Sequence, residues 1–285
     1  YYDILIFTLN SSISYFCKIL TVIFKKGTMD IQKNCTNGIE SRDYMQKDLT
    51  TGSISKALFL FAGPMILGNL LQQFYNITDT LIVGQFLGSD ALAAVGSSFS
   101  LMTFLTSIRL GLCMGSSVVF STFFGARKKD SLQSSFFVSF CFVGLAAVVI
   151  EALSLFFLDP LLTVLQIPAH ILSDTRTYLQ IIFYGIFFTF LYNFFASLLR
   201  AIGNSFIPLI FLGVSTLINI LLDLLFILQF QMGIAGAAWA TVIAQGFSAI
   251  GMIGYCVVKV PLFRLQKKHF VFTKELFVPI IQYSL

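Results

Sequence analysis

Six long, mostly apolar stretches separated by short polar connections fix the solvent in which this chain can fold. They run over 55–85, 91–124, 132–158, 178–199, 207–230 and 235–258. A helix needs about 20 such residues to cross a hydrocarbon layer, and each stretch meets that length. In lipid the backbone must satisfy its own N–H and C=O groups, so runs of this kind read as helices. A seventh run begins near Phe277 and continues to the last residue given. The expected fold is all-α: a polytopic membrane protein with a six-helix transmembrane bundle and the start of a seventh helix.

Composition agrees. The 285 residues are 57% hydrophobic and only 11% charged, whereas soluble domains carry about 25% charged residues. Such a chain cannot coat itself with a wettable surface. The net charge of +5 does not point to nucleic acid, because the basic residues sit in the connections between apolar runs, where they set topology. One set of connections holds Arg127, Lys128 and Lys129, then Arg200, then Lys259, Arg264, Lys267, Lys268 and Lys274, with Lys47 and Lys56 ahead of the first run. The other set holds Asp90, Asp159 and Asp174 against Arg176. This asymmetry places the N-terminal side and the loops after the second, fourth and sixth helices in the cytoplasm.

Turn residues mark the expected boundaries. Gly88-Ser89-Asp90 breaks the first helix and caps the second, and Asp159-Pro160 ends the third. Gly203-Asn204 with Pro208 marks the turn from the fourth helix to the fifth, and Gly233 with Gly236 marks a tight outer turn. The connection 161–175 contains Pro168 and has room for a short interfacial helix. Residues 1–50 form an N-terminal extension of different character. Its apolar patch at 4–24 lacks the basic start and small-residue cleavage site of a signal peptide. Residues 1–28 read as upstream translation, with Met29 or Met45 as the start.

Enzymatic chemistry has no foothold in the motifs. The five cysteines (Cys17, Cys35, Cys113, Cys141, Cys256) show neither CxxC nor metal-ligand spacing, and small apolar filler is the better reading. His170 and His269 fall in connections, and no HExxH, phosphate-binding loop or nucleophile elbow occurs. No cofactor is expected.

The informative residues are two carboxylates inside apolar runs, Asp79 and Asp223. A carboxylate at the bilayer centre costs about 2.5–3.5 kcal/mol on insertion scales, so it survives by facing a wet cavity or a cation. Asp79 ends a polar stripe of Asn69, Gln72, Gln73 and Asn76. At ~100° per residue these fall within an arc of roughly 120°, which gives the first helix one wet face and one apolar face. The fifth helix repeats the pattern with Ser215, Asn219 and Asp223, and the sixth carries Thr241, Gln245 and Ser248. Carboxylate, amide and hydroxyl oxygens suit a hard cation such as Na⁺. Equally, a desolvated carboxylate holds a proton more firmly, and the sequence leaves H⁺ and Na⁺ both open. Pro64, inside the first helix, is either a static bend or a hinge beside the stripe. Arg109, midway along the second helix, has three readings: snorkelling, an acidic partner or an anionic substrate. Glu151 reads as interfacial.

The run from Pro64 through Gly68-Asn69, Gln72-Gln73 and Asn76 to Asp79, followed by Val83-Gly84 and the stretch 87–96, resembles the multidrug and toxic compound extrusion (MATE) family. Leu199-Arg200 with Gly203-Asn204 and Pro208, Asn219 with Asp223, and Gly233 through Thr241 match its later motifs in order and spacing. The flavour is that of the bacterial DinF-like and MepA-like branches. The resemblance covers roughly residues 50–285. It implies that residues 51–270 are the N-terminal lobe of a twelve-helix transporter of the bacterial cytoplasmic membrane, and that 271–285 begin helix seven of a missing second lobe. It further implies export of cationic or amphipathic drugs against inward H⁺ or Na⁺, with an ion site at Asp79, Asn219, Asp223 and Thr241 and a bending proline at Pro64. Two rivals remain: a lipid-linked oligosaccharide flippase of the same superfamily, for which only Arg109 speaks, and a non-transporting gene fragment.

Overall fold

The computed structural model describes residues 54–260 and 279–283. The expectations for 1–50, for the domain boundaries near 50 and 270, and for the basic connection 261–278 lie outside the described residues. The helices are α1 (Ile54–Phe86), α2 (Ser89–Gly125), α3 (Lys129–Phe156), α4 (Leu158–Val164), α5 (Leu172–Tyr184), α6 (Ile186–Ala201), α7 (Phe206–Leu224) and α8 (Ile234–Lys259). Residues 279–283 form one further helical turn. Among the described residues there is no strand. The all-α membrane bundle expected from the apolar runs is the fold observed.

Four helices are long and apolar enough to cross a membrane: α2, α3, α7 with the turn that follows it, and α8. The pair α5 and α6 makes a fifth span, bent by 45°. At about 1.5 Å per residue the 33 residues of α1 also reach across, although its polar stripe dilutes its apolar character. Helix α7 packs on α8 and α1, α8 on α6 and α5, and α2 on α3 and α6.

Three expected boundaries are corrected. The fourth run is not one helix over 178–199: it starts at Leu172 and breaks at Gly185. A Cβ at Gly185 would stand 2.8 Å from Val242 Cγ2 and 3.1 Å from the Ile182 carbonyl, so close approach to α8 admits only glycine at the break. The third run ends at Phe156, before Asp159-Pro160. Those two residues instead open α4, where a helix tolerates proline because the first-turn N–H groups have no partner anyway. Asp159 there receives Arg176 at 2.8 and 3.1 Å through two guanidinium nitrogens, an exposed pair that ties α4 to α5. Gly236 also moves, from the outer turn to the first turn of α8. Gly88 serves as read: its φ of 89° lets α1 reverse into α2 at a conformation only glycine adopts freely.

Packing follows the phenylalanines. Phe120, Phe136, Phe140, Phe190, Phe194 and Phe195 interlock between α2, α3 and α6, with Phe140 and Phe194 centroids 5.5 Å apart at 69°. A second apolar layer joins Ile82 and Val83 of α1 with Ala91 of α2, Ile227, and Ala237 and Ala238 of α8. Val119, Val138 and Ile280 form a third, which seats the turn 279–283 against α2 and α3. Lipid tails offer no hydrophobic drive between helices, so close contact and interhelical hydrogen bonds hold the bundle together. Ser117 donates to the Ser197 carbonyl at 3.2 Å, Ser215 to that of Ala244 at 3.0 Å and Ser248 to that of Phe211 at 3.1 Å. The outside is greasy: Phe59 and Phe156 are each 80% exposed, the surface of a protein solvated by acyl chains.

Beyond α7 the backbone widens into a π-helical turn, Leu225–Gln229, closed by Phe230 N–H donating to the Leu225 carbonyl at 3.1 Å. Single π turns are frequent at functional sites, and this one starts two residues after Asp223.

Candidate functional site

Three helices bring the candidate ion site together. On α1 the buried positions Tyr75, Asp79, Ile82 and Val83 recur at helical spacing and turn toward α7 and α8. On α7, Ser215, Asn219 and Asp223 are all buried, one turn apart. On α8, Thr241 faces both. Its Oγ1 accepts the Tyr75 hydroxyl at 3.2 Å and the Asn219 amide Nδ2 at 3.4 Å. Asp79 is 8% exposed, and Asn219 and Asp223 are fully buried. The two carboxylates lie within interacting reach of each other, and Tyr178 of α5 borders them.

Four oxygens at the centre of this cluster have no donor turned toward them. Asp79 Oδ1, Asn219 Oδ1 and both oxygens of Asp223 are buried without a hydrogen-bond partner. Four such oxygens cost far too much to leave unsatisfied. Their chemistry calls for something positive: a shared proton or an oxygen-liganded cation. Among the described residues no group of three or more His, Cys, Asp or Glu side chains forms a metal site. A cation here would thus depend on the mixed set of carboxylate, amide and hydroxyl.

Beside the cluster lies a cavity of about 580 Å³. The α1 stripe of Asn69, Gln72, Gln73 and Asn76 lines it, as do Pro64, Asp79, Thr241 and Gln245. Within the stripe Asn76 donates to Gln73 at 3.2 Å. Ser215 stands apart from the lining: it is 3% exposed and its hydroxyl is spent on α8. Asn219 and Asp223 also lie behind the wall, so Asp79 is the carboxylate that faces the cavity. Pro64 offers no N–H to the Leu60 carbonyl, yet α1 runs unbroken through it. The neighbouring Phe61 carbonyl accepts the Ser205 hydroxyl at 3.1 Å, which ties this part of α1 to the turn between α6 and α7.

The sequence reading missed Tyr75 and Tyr178. Tyr75 stood in plain view one turn before Asp79, and the stripe rule would have found it had phenols counted as polar. In the sequence Tyr178 is only the first residue of the fourth apolar run, whereas the helix begins at Leu172 and carries it inward. Arg200, read as a topology signal, also lines the cavity, as does Arg109.

The MatE family model matches residues 64–225. The probable multidrug resistance protein YpnP of Bacillus subtilis is 36% identical over 213 residues, covering 74% of this chain and 47% of that protein. The multidrug export protein MepA of Staphylococcus saprophyticus is 27% identical over 233 residues, 81% of this chain and 51% of that protein. The outward-facing structure of a multidrug resistance MATE family transporter of the MOP superfamily superposes with a TM-score of 0.78 at 24% identity, over 86% of this chain and 55% of that one. A MOP superfamily transporter from Pyrococcus furiosus gives 0.78 at 23%, over 86% and 54%. The chain spans about half the length of the relatives it matches.

Proposed function

Since the chain belongs to the MatE family, we propose that it supplies the N-terminal lobe of a cation-coupled exporter of amphipathic drugs and toxins in the bacterial cytoplasmic membrane, with its N-terminal side cytoplasmic. In this reading residues 51–270 are the lobe, 271–285 open helix seven, and a second lobe like that of the relatives completes the pathway. The observation that carries it is the position of Asp79, at once a wall of the cavity and a neighbour of Asp223.

The coupling then follows from charge. Asp79, Asn219, Asp223 and Thr241 would hold H⁺ or Na⁺, and the arriving cation satisfies the four unpartnered oxygens. Empty, the pair repels itself and draws Asp79 toward the cavity and any positive cargo in it. Ion and cargo thereby favour different arrangements of the same helices, which is what antiport requires. Bending of α1 at Pro64, next to the Ser205 tie, is the motion we assign to the exchange.

The test is dye efflux by the full-length protein in energised vesicles. Ionophore-sensitive export of an amphipathic rhodamine dye that depends on an imposed H⁺ or Na⁺ gradient is the expected result. Export indifferent to both gradients would sink the coupling.

A further inference from the structure

Arg109 is a buried cation with no counter-charge among the described residues. It lies midway along α2, 5% exposed. Its Nε donates to the Leu105 carbonyl at 3.3 Å and its Nη2 to the Thr106 hydroxyl at 2.7 Å. A guanidinium has five N–H donors, so these two bonds leave three in hand. Among the described residues no carboxylate stands within ion-pair distance of it; Asp159 pairs with Arg176 elsewhere. Snorkelling does not account for it, since the side chain reaches a carbonyl and a hydroxyl one turn away on its own helix, not an interface.

The cavity supplies the context. Its charged wall residues are Asp79, Arg109 and Arg200: two guanidiniums against one carboxylate, a formal charge of +1. A proton or cation held at Asp79 makes it more positive still. Two guanidiniums beside one carboxylate suit a molecule that brings a negative group as well as a positive one. Arginine's planar fork matches the paired oxygens of a carboxylate or phosphate, and such charge-assisted bonds are among the stronger ones a site can offer. Leaving the charge unpaired in a low-dielectric site is costly, so the anion that satisfies it arrives with the cargo.

We propose that Arg109 is an anion-accepting subsite of the cavity, and that the transported amphipath carries a carboxylate or similar oxyanion. The inference rests on the cavity being the cargo path and narrows the class of cargo that path takes.

The test compares two dyes that differ in one group: rhodamine 110, with a free carboxylate, and rhodamine 123, its methyl ester. Binding to the purified full-length protein is read by fluorescence polarisation in neutral detergent without added lipid, so no anionic lipid competes with the dye. Wild type should favour rhodamine 110. Arg109→Gln should weaken rhodamine 110 by about tenfold, the value of one charge-assisted contact, and move rhodamine 123 by less than about twofold. Arg109→Lys should keep part of the preference. Equal losses for both dyes would make Arg109 structural and overturn the proposal, and so would an unchanged Arg109→Gln. Should that variant not fold, a wild type without preference for the acid overturns the proposal just as well. Wild-type binding of rhodamine 123 alone would overturn this inference and leave the exporter standing. Binding of neither dye would overturn both.

Discussion

Tyr75 of α1 donates its hydroxyl proton to Thr241 of α8 at 3.2 Å, and the same Thr241 oxygen takes a second donor, Asn219 of α7. One small hydroxyl therefore fixes three helices beside the carboxylate pair. The two donors are unequal in their need for it. Asn219 is fully buried and its other polar atom has no partner, so Thr241 is its anchor on the site.

Thr241→Ala should thus cost more than Tyr75→Phe. Removing the tyrosine donor leaves Thr241 served by Asn219, at about 1 kcal/mol. Removing the threonine strands two buried donors, each worth about 1–3 kcal/mol. Thermal unfolding of the full-length protein in detergent should rank Thr241→Ala clearly below Tyr75→Phe. Equal melting temperatures would mean the hydroxyl is not the common anchor.

Asp79→Asn and Asp223→Asn should each reduce gradient-driven efflux to background while expression stays near wild type, since an amide keeps the size but cannot cycle its charge. The double variant should be no worse than either single one, because groups acting as a unit are not additive. Vesicle efflux measures all three. Wild-type transport by either single variant would remove that carboxylate from the coupling.

At Gly185 the prediction is steric. A methyl group there meets Val242 Cγ2 at 2.8 Å, and overpacking of this kind costs about 1–3 kcal/mol. Gly185→Ala should lower the melting temperature. Adding Val242→Ala should recover much of the loss, and a double variant no more stable than Gly185→Ala alone would show that the elbow does not depend on this contact.

How far the sequence reached depends on the kind of signal. The wet face of α1 was legible because amides and a carboxylate recur at helical spacing in an apolar background, and all five residues of that stripe line the cavity. Ser215 sat on an equally good stripe, but periodicity cannot tell a wall from an interhelical bond, and its hydroxyl went to Ala244. The elbow at Gly185 was invisible because Tyr184 and Ile186 continue the apolar run on both sides, and hydropathy does not register direction. What makes Gly185 a break is Val242, more than 50 residues away. Arg109 was found but not placed, since only the fold shows that its neighbours offer it no carboxylate.

Orientation is testable by labelling. In a background with the native cysteines replaced, a cysteine at Lys128 should resist an impermeant thiol reagent on intact cells and one at Gln231 should react, both positions being exposed in turns. The charge of the loops predicts this sign. The opposite pattern would invert the topology.

The apolar layer around Ile227 has a consequence for traffic. Ile82 and Val83 follow Asp79 by about one turn on α1, Ile227 follows Asp223 by one turn into the widened π segment, and Ala237 and Ala238 precede Thr241 by about one turn on α8. All belong to one dry cluster lying to the same side of the carboxylates. Among the described residues Asp223 thus has this apolar layer on that side and Asp79, a wall of the cavity, on the other. On the reading proposed above, an ion bound for Asp223 would enter by way of the cavity and leave by the same route, so the turnstile would admit traffic from one compartment only until the three helices part at that layer.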